Sequence, residues 1–433
     1  MTEPQLRPRY LADGETLSAE QLADTHVPHP GVGTYFQRST LVVGSKGAGK
    51  TFLLRHRKHT THPGALYINL FKTLNSIARD SGLGGRASGV DPDTTTAIES
   101  KTAALLGATA YELAAKEHDG DVYLDLDGLN ALLPRPLRQH GVLTHRTVKQ
   151  LSREIQSTPL REWTEQVHTE LLIDAIRELS DASPTDLALF LDRAEDVTTP
   201  SVSMLMSLLD QSTGFLVVLA GRPAISQLIP STHATSSVPN DHFDIKHLGL
   251  LPYSDEWLAF AQTATENYLS ANDGTTVQWD DGHTWALRLA RDSIRLAVSL
   301  AQISLDTAGI ARINDRRSQV AGIRAGRLAS CCAALIPDYR DFRQVLAEIQ
   351  DQCRDRLAHD EPFCLHAGVE DEAATQLSLL GERTEITDYL LRAIRVDAFC
   401  LPSGYQMHPY ELPTVFEVNP ILAWDAENPK WIS

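Results

Sequence analysis

The chain lacks the cysteine pairing of a disulfide-built protein. It has five cysteines in 433 residues, two of them adjacent (Cys331 and Cys332), which do not form a disulfide framework. Cys353, Cys364 and His366 lie near one another in sequence, but no C-x-x-C spacing accompanies them. Buried or incidental thiols are expected there, not a metal site. No apolar run reaches the length of a membrane span, and the first nine residues are polar and proline-bearing. Neither a membrane helix nor a signal peptide is expected, so the expected location is the cytoplasm. Positive charge is scarce as well: 39 Lys and Arg against 56 Asp and Glu leave a net charge of −17. This argues against a protein coated for non-specific DNA or membrane binding, because phosphate neutralisation needs local positive charge. Two local basic groups remain, Arg55, Arg57 and Lys58, and further on Arg312, Arg316, Arg317, Arg324 and Arg327. No internal repeat or low-complexity tract is present.

What remains is the composition of a globular protein, 42% hydrophobic and 22% charged, long enough for two or three domains and a sizeable core. Residues 1–38 read as an irregular lead-in, with Pro28, Pro30, Gly31 and Gly33 marking a loop. A short apolar strand, 40–43, runs into a glycine-rich turn; a helix over about 50–59 and a strand over 65–70 follow. This βαβ opening predicts an α/β fold, a parallel sheet with helices on both faces. The stretch of about 75–180 interrupts the alternation. Gly82, Gly84, Gly85 and Gly89 suggest a flexible loop, and helices are predicted over 95–118, 143–155 and 160–179. Apolar residues at Val167, Leu171, Leu172, Ala175, Ile176 and Leu179 mark one face of the last. A helical insertion between the second and third strands is therefore expected. Continuous apolar runs at 187–191 and 215–220, and a weaker one at 243–245, suit strands buried on both faces. The core would span 39–250, a helical lid 251–335, and a small C-terminal domain 336–433, with a helix at 387–396 and a strand at 415–418.

Gly44-Ser45-Lys46-Gly47-Ala48-Gly49-Lys50-Thr51 fits the pattern G-x-x-x-x-G-K-[ST]. The glycines let the backbone curl so that successive N–H groups point at phosphate oxygens, and the loop feeds a helix N-terminus whose partial positive charge favours the same anion. Lys50 would reach the β- and γ-phosphates, and Thr51 would offer its hydroxyl to Mg²⁺. ATP and Mg²⁺ are the expected ligands. The bare pattern occurs by chance in about one or two per cent of chains this long, and here it also has a strand before it and a helix after it.

The run Leu187–Leu191 ends in Asp192, the Walker B form, where a carboxylate would hold the magnesium shell. Many ATPases of this type place a water-activating glutamate next, but here the next residue is Arg193, which stays protonated and cannot act as a base. Glu195 and Asp196 are the nearest substitutes, so binding is expected and brisk hydrolysis is not. The strand 215–220 leads to Gly221-Arg222-Pro223. An arginine at that tip would lie beside the γ-phosphate as a sensor or charge stabiliser.

With these features the chain resembles the P-loop ATPases that carry an additional catalytic-acid strand. Within them it resembles two groups, the origin-recognition-type AAA ATPases and the NACHT-like STAND signalling ATPases. The spacing of Asp192, Glu195 and Asp196, and the pair Arg222-Pro223, look like the STAND pattern. Asp292-Ser293-Ile294-Arg295 looks like the second sensor arginine at a lid-helix start in the origin-recognition type, which implies that Arg295 meets the nucleotide. The origin-recognition resemblance also implies a winged helix at the C-terminus. Bacterial ATPases of this build often serve in conflict and anti-phage defence systems or beside an effector.

Three functions follow as expectations. The first is an ATP-controlled switch in which nucleotide bridges the sheet domain and the lid, acting through a protein partner or self-association. The second is a DNA-binding initiator or helicase loader, resting on the arginines of 312–327. The third, a small-molecule kinase, would need an acceptor pocket in place of the sensor arginine. No nuclease or protease constellation is present; His408, Glu411 and Glu417 fit a surface turn better than a catalytic group.

Overall fold

The computed structural model describes, with short gaps, residues 15–80, 92–117, 127–138, 145–221, 243–248 and 255–298. Beyond these it describes only short strands at 364–366, 399–400 and 415–418. Two compact units divide the chain: one comprises Gly31–Val43 and Lys50–His247, the other Met1–Pro30, Gly44–Gly49 and Leu248–Ser433.

The first of these holds a five-stranded, all-parallel sheet. Its strands are β1 (Thr40–Val43), β2 (Ala65–Asn69), β3 (Ala188–Asp192), β4 (Leu216–Gly221) and β5 (Asp244–His247), in the order β2-β3-β4-β1-β5. Every residue of β1 and β3 is buried, as a strand covered on both faces requires. The weak apolar signal at 243–245 is the edge strand β5. After β1 the chain crosses toward β2, whereas after β4 it crosses the other way to β5. The strand ends of β1 and β4 therefore flank a topological switch point, where open α/β sheets bind ligands.

One face of the sheet packs Leu41, Val43, Leu66, Ile68, Leu189, Leu191, Val217 and Leu219 into the main core. The helices there are α3 (Leu70–Asp80), α4 (Pro92–Glu117), α5 (Asp127–Ala131), α6 (His145–Ser157), α7 (Thr169–Ala182) and α8 (Thr199–Gln211). Five of them, α3 to α7, form the insertion between β2 and β3. Helix α4 is its axle: alanine-rich and buried nearly all round from Ala97 to Ala115, it has few charges to expose and so packs against α3, α6, α7 and α8 at once.

Several boundaries differ from the sequence reading for local reasons. Leu70 opens a helix rather than closing a strand, because the Asn69 side chain accepts the Lys72 N–H at 3.0 Å and starts α3 there. The predicted helix over 160–179 is divided: Leu160–Glu162 is a single 3-10 turn, the backbone leaves helical geometry at the buried Trp163, and α7 begins at Thr169. Helix α8, which the sequence reading did not name, returns the chain from β3 to β4. The glycine-rich stretch 82–89 lies outside the described residues.

The opposite face packs α2 (Lys50–Thr60), and here the basic group after the glycine loop proves to be no surface patch. Arg57 is only 2% exposed. Its guanidinium lies 3.8 Å from the centre of the Phe36 ring, and Nη2 donates to the carbonyls of Val32 (3.3 Å) and Gly33 (2.5 Å). Burial pulls its pKa down to about 10, so it remains a cation at neutral pH. Lys58 likewise turns inward and donates to the Ala65 carbonyl at 2.7 Å. Beside Arg57, the His62 ring stacks on Tyr35 (4.3 Å) and meets Phe190 edge-on.

His62 Nε2 lies 3.3 Å from the Phe36 carbonyl and Nδ1 lies 2.9 Å from the Thr61 hydroxyl. The neutral ring protonated on Nε2 satisfies both: it donates to the carbonyl and accepts from Thr61. Burial lowers the His62 pKa, the Phe36 carbonyl works against that, and Arg57 adds to it. Since the folded ring resists a proton that the unfolded chain accepts below about pH 6.5, stability is expected to fall as pH drops through that value. The slope is at most about 1.4 kcal/mol per pH unit for one such histidine. Urea unfolding between pH 7 and 5 checks this; in His62→Gln the loss should be smaller, and an unchanged slope would exclude His62 as its source.

In the other unit, which takes in the lead-in only as far as Pro30, the chain is not wholly irregular: α1 (Ala19–Asp24) begins at a capping box in which Ser18 and Gln21 satisfy each other's backbone N–H groups. Helix α9 (Asp255–Asp273) packs against α1. Strands β6 (Cys364–His366), β7 (Phe399–Cys400) and β8 (Val415–Val418) form an antiparallel sheet in the order β6-β8-β7. The helix predicted at 387–396 lies outside the described residues. No helix among the described residues is long and apolar enough to cross a membrane.

Candidate functional site

The glycine loop leaves β1 at Gly44 and enters α2 at Lys50. Gly47 and Gly49 have φ values of +91° and +97°, a conformation that L side chains rarely adopt, so the sequence pattern and the backbone agree on why glycine stands there. A Cβ on Gly49 would meet nothing within 4 Å. One on Gly47 would stand 2.4 Å from the Ser293 hydroxyl and 3.1 Å from Arg295 Cβ. The Gly47 carbonyl also accepts the Arg295 N–H at 3.1 Å. The residue singled out as a lid arginine is therefore docked by its backbone on the glycine loop, with its side chain exposed.

At the start of α2, Lys50 is largely buried. Thr51 Oγ1 donates to Asp192 Oδ2 at 2.6 Å, joining positions 141 residues apart. Asp192 is 1% exposed at the carboxyl end of β3. A buried carboxylate needs donors, and those described for this one include Thr51, the Tyr67 hydroxyl at 2.7 Å to the same oxygen, and the Arg193 N–H at 3.0 Å to Oδ1. The sequence reading missed Tyr67. Sheet register explains its reach: Tyr67 pairs with Phe190, so it shares a face with Asp192 and stands on the diagonal to it. An aromatic side chain two places before a strand's end was the available signal, and it needed the register to mean anything.

Arg193 has φ +65°, the one non-glycine residue with positive φ among those described. Such a conformation costs on the order of 1–3 kcal/mol and persists where the surroundings enforce it. Here it carries the N–H that binds Asp192.

The arrangement fits a magnesium–phosphate group. With its proton given to Asp192, the Thr51 oxygen keeps lone pairs for a cation. Among the described residues no cluster of three or more His, Cys, Asp or Glu could hold a metal; a magnesium ion here would take its other ligands from phosphate and water, as that ion commonly does. Ser45, Lys46, Glu195, Asp196 and Arg222 lie outside the described residues, as do Arg312–Arg327, His408 and Glu411. Comparison with protein-family models, with curated proteins and with solved structures gave no match.

Proposed function

We propose that this chain binds Mg-ATP at the Gly44–Thr51 loop and acts as a nucleotide-controlled switch on a protein partner or on further copies of itself, with slow turnover. The observation that carries the reading is the 2.6 Å hydrogen bond from Thr51 to Asp192. It joins the two residues that the sequence pattern assigns to magnesium from separate elements, and a glycine-rich turn of no function would have no reason to end against a buried acid. The sheet supports the same reading: β4 stands as an additional strand between β1 and β3, in keeping with the ATPase class the sequence resembles.

Arg193, in place of an acid, is the reason for slow turnover. Glu195 and Asp196 are the proposed substitutes for the water-activating base, and Arg222 and Arg295 the proposed sensors. A ligand can shift a conformational equilibrium only by its differential affinity for the two states, so a switch must hold ATP longer than it takes to signal.

Mg-ATP binding by calorimetry, paired with single-turnover hydrolysis, tests the proposal, with Lys50→Ala as control. Binding in the wild type, a loss of at least tenfold in Lys50→Ala, and hydrolysis well below about 1 per second are expected, the last being the low end of ordinary enzyme rates. Absence of binding in the wild type would overturn the reading. Fast turnover would overturn the switch and assign a cycling motor instead.

A further inference from the structure

The helical insertion carries an open cavity of about 310 Å³. Lys72, Asn75, Ser76 and Arg79 line it from one face of α3, at the i, i+3, i+4, i+7 spacing of a single helix side. Arg153, Gln156 and Ser157 line it from the last turns of α6. Three cations, two amides and two hydroxyls meet there with no acidic side chain, in a chain whose net charge is −17. Asp80, which Arg79 Nε approaches at 3.9 Å, is committed to Lys101 Nζ at 3.0 Å.

Two details distinguish this cavity from an ordinary solvated helix face. The Ser76 hydroxyl is shielded from solvent and makes no hydrogen bond, so turning to another χ1 rotamer costs it no partner and would bring it to a bound acceptor. Helices α3 and α6 both end at the cavity, and their negative carboxyl ends would repel an anion. That repulsion is offset from below, because the buried ammonium of Lys101 binds the carbonyls of Gln156 (3.3 Å) and Thr158 (2.7 Å) together with Asp80. One helical turn before Asn75, on α3 but outside the residues that line the cavity, stands Phe71, 42% exposed and one of two large exposed hydrophobic residues among those described.

We propose that this cavity binds a phosphate-bearing ligand with an aromatic base, the size of a mononucleotide, at a site separate from the glycine loop. Lys72, Arg79, Arg153 and the Ser76 hydroxyl take the phosphate, and the Phe71 ring offers a stacking surface for the base. The volume lies at the small end of ligand pockets, which favours a single nucleotide over a strand or a protein segment. A second nucleotide site on the insertion would let the level of a monophosphate act on the protein independently of ATP.

Equilibrium dialysis of the full chain against radiolabelled AMP, CMP, GMP and UMP without magnesium tests the site. These probes lack the β- and γ-phosphates that the glycine loop would grip. At least one should bind with submillimolar affinity, equally in wild type and Lys50→Ala, and at least tenfold more weakly in the double variant Arg79→Glu plus Arg153→Glu. Both arginines are exposed, so the variant should keep its fold, which circular dichroism verifies. Phe71→Ala should weaken nucleotide binding several-fold and leave competition by inorganic phosphate unchanged. The proposal is overturned if no monophosphate binds at millimolar concentration, or if binding survives the charge reversal. Oligothymidylate of eight residues binding more than tenfold tighter than any monophosphate would also overturn it, in favour of a strand.

Discussion

Asp192→Asn is expected to lower the affinity for Mg-ATP by about 10- to 100-fold while leaving magnesium-free ATP binding nearly unchanged, the range seen when a residue supporting a metal's ligands is removed. The substitution is nearly isosteric. Its amide oxygen can take the place of Oδ2 and still accept from Thr51 and Tyr67, so the packing around the site survives. What it loses is the negative charge, and what it gains is an NH₂ facing the Arg193 N–H, donor against donor, where Oδ1 now accepts at 3.0 Å. The lost charge would act on a cation at Thr51 and the clash on the Arg193 N–H, and neither on the glycine backbone that would grip phosphate. Binding measured in magnesium and in EDTA separates the two. Equal losses in both would mean that Asp192 holds the loop's shape and has no part in a metal site. Tyr67→Phe provides the graded control. It removes a single donor to Asp192, and the net loss of one such hydrogen bond is on the order of 1–2 kcal/mol, so the magnesium concentration for half-maximal binding should rise less than in Asp192→Asn.

The parts of the fold that were legible in the sequence are those set by local rules. Strand β1 is an apolar run closed by a glycine, and its bounds came out as read, Thr40–Val43. The glycine pattern named Gly47 and Gly49 because backbone curvature demands φ > 0 at specific places, and that demand is visible residue by residue. The Asp192 position followed from an acid closing a buried strand. What stayed hidden depends on partners distant in sequence. Arg57 reads as a surface cation until Phe36, Val32 and Gly33 are brought over it. Tyr67 is one more strand aromatic until the register of β2 on β3 sets it diagonal to Asp192. Helix α8 contains Val202, Leu205, Leu208 and Leu209, buried on one side, and also Ser201, equally buried and satisfied by Thr102 and Thr198. A buried polar residue blurs the apolar period on which helix recognition rests.

Lys101 is the clearest case of a residue whose role no sequence rule gives, and Lys101→Met is expected to destabilise the insertion by about 1–3 kcal/mol, the cost of leaving hydrogen-bond partners unsatisfied; it falls short of the cost of breaking a fully buried pair because the Asp80 side chain keeps 26% of its exposure to water. The lysine is 0% exposed in the middle of α4. Burial lowers its pKa, while the hydrogen bond and charge of Asp80 draw it back up. Its three acceptors, Asp80 Oδ2, the Gln156 carbonyl and the Thr158 carbonyl, match the three donors of an ammonium and exceed the two of a neutral amine, so the charged form is the one that fits. Met fills the same volume but leaves an acid and two carbonyls facing an apolar side chain. Adding Asp80→Asn to Lys101→Met should recover part of the loss, because the unpaired charge is then gone; that non-additivity measures the coupling of the pair. Urea unfolding followed by helical circular dichroism gives both quantities. A change under about 0.5 kcal/mol in the single variant, the ordinary range for a surface substitution, would mean that the ammonium does not bind where the geometry puts it. Where the ammonium does bind there, Lys101→Met also takes from the proposed anion cavity the buried charge that offsets its two helix ends, so monophosphate binding, measured well below the unfolding midpoint, should fall together with stability.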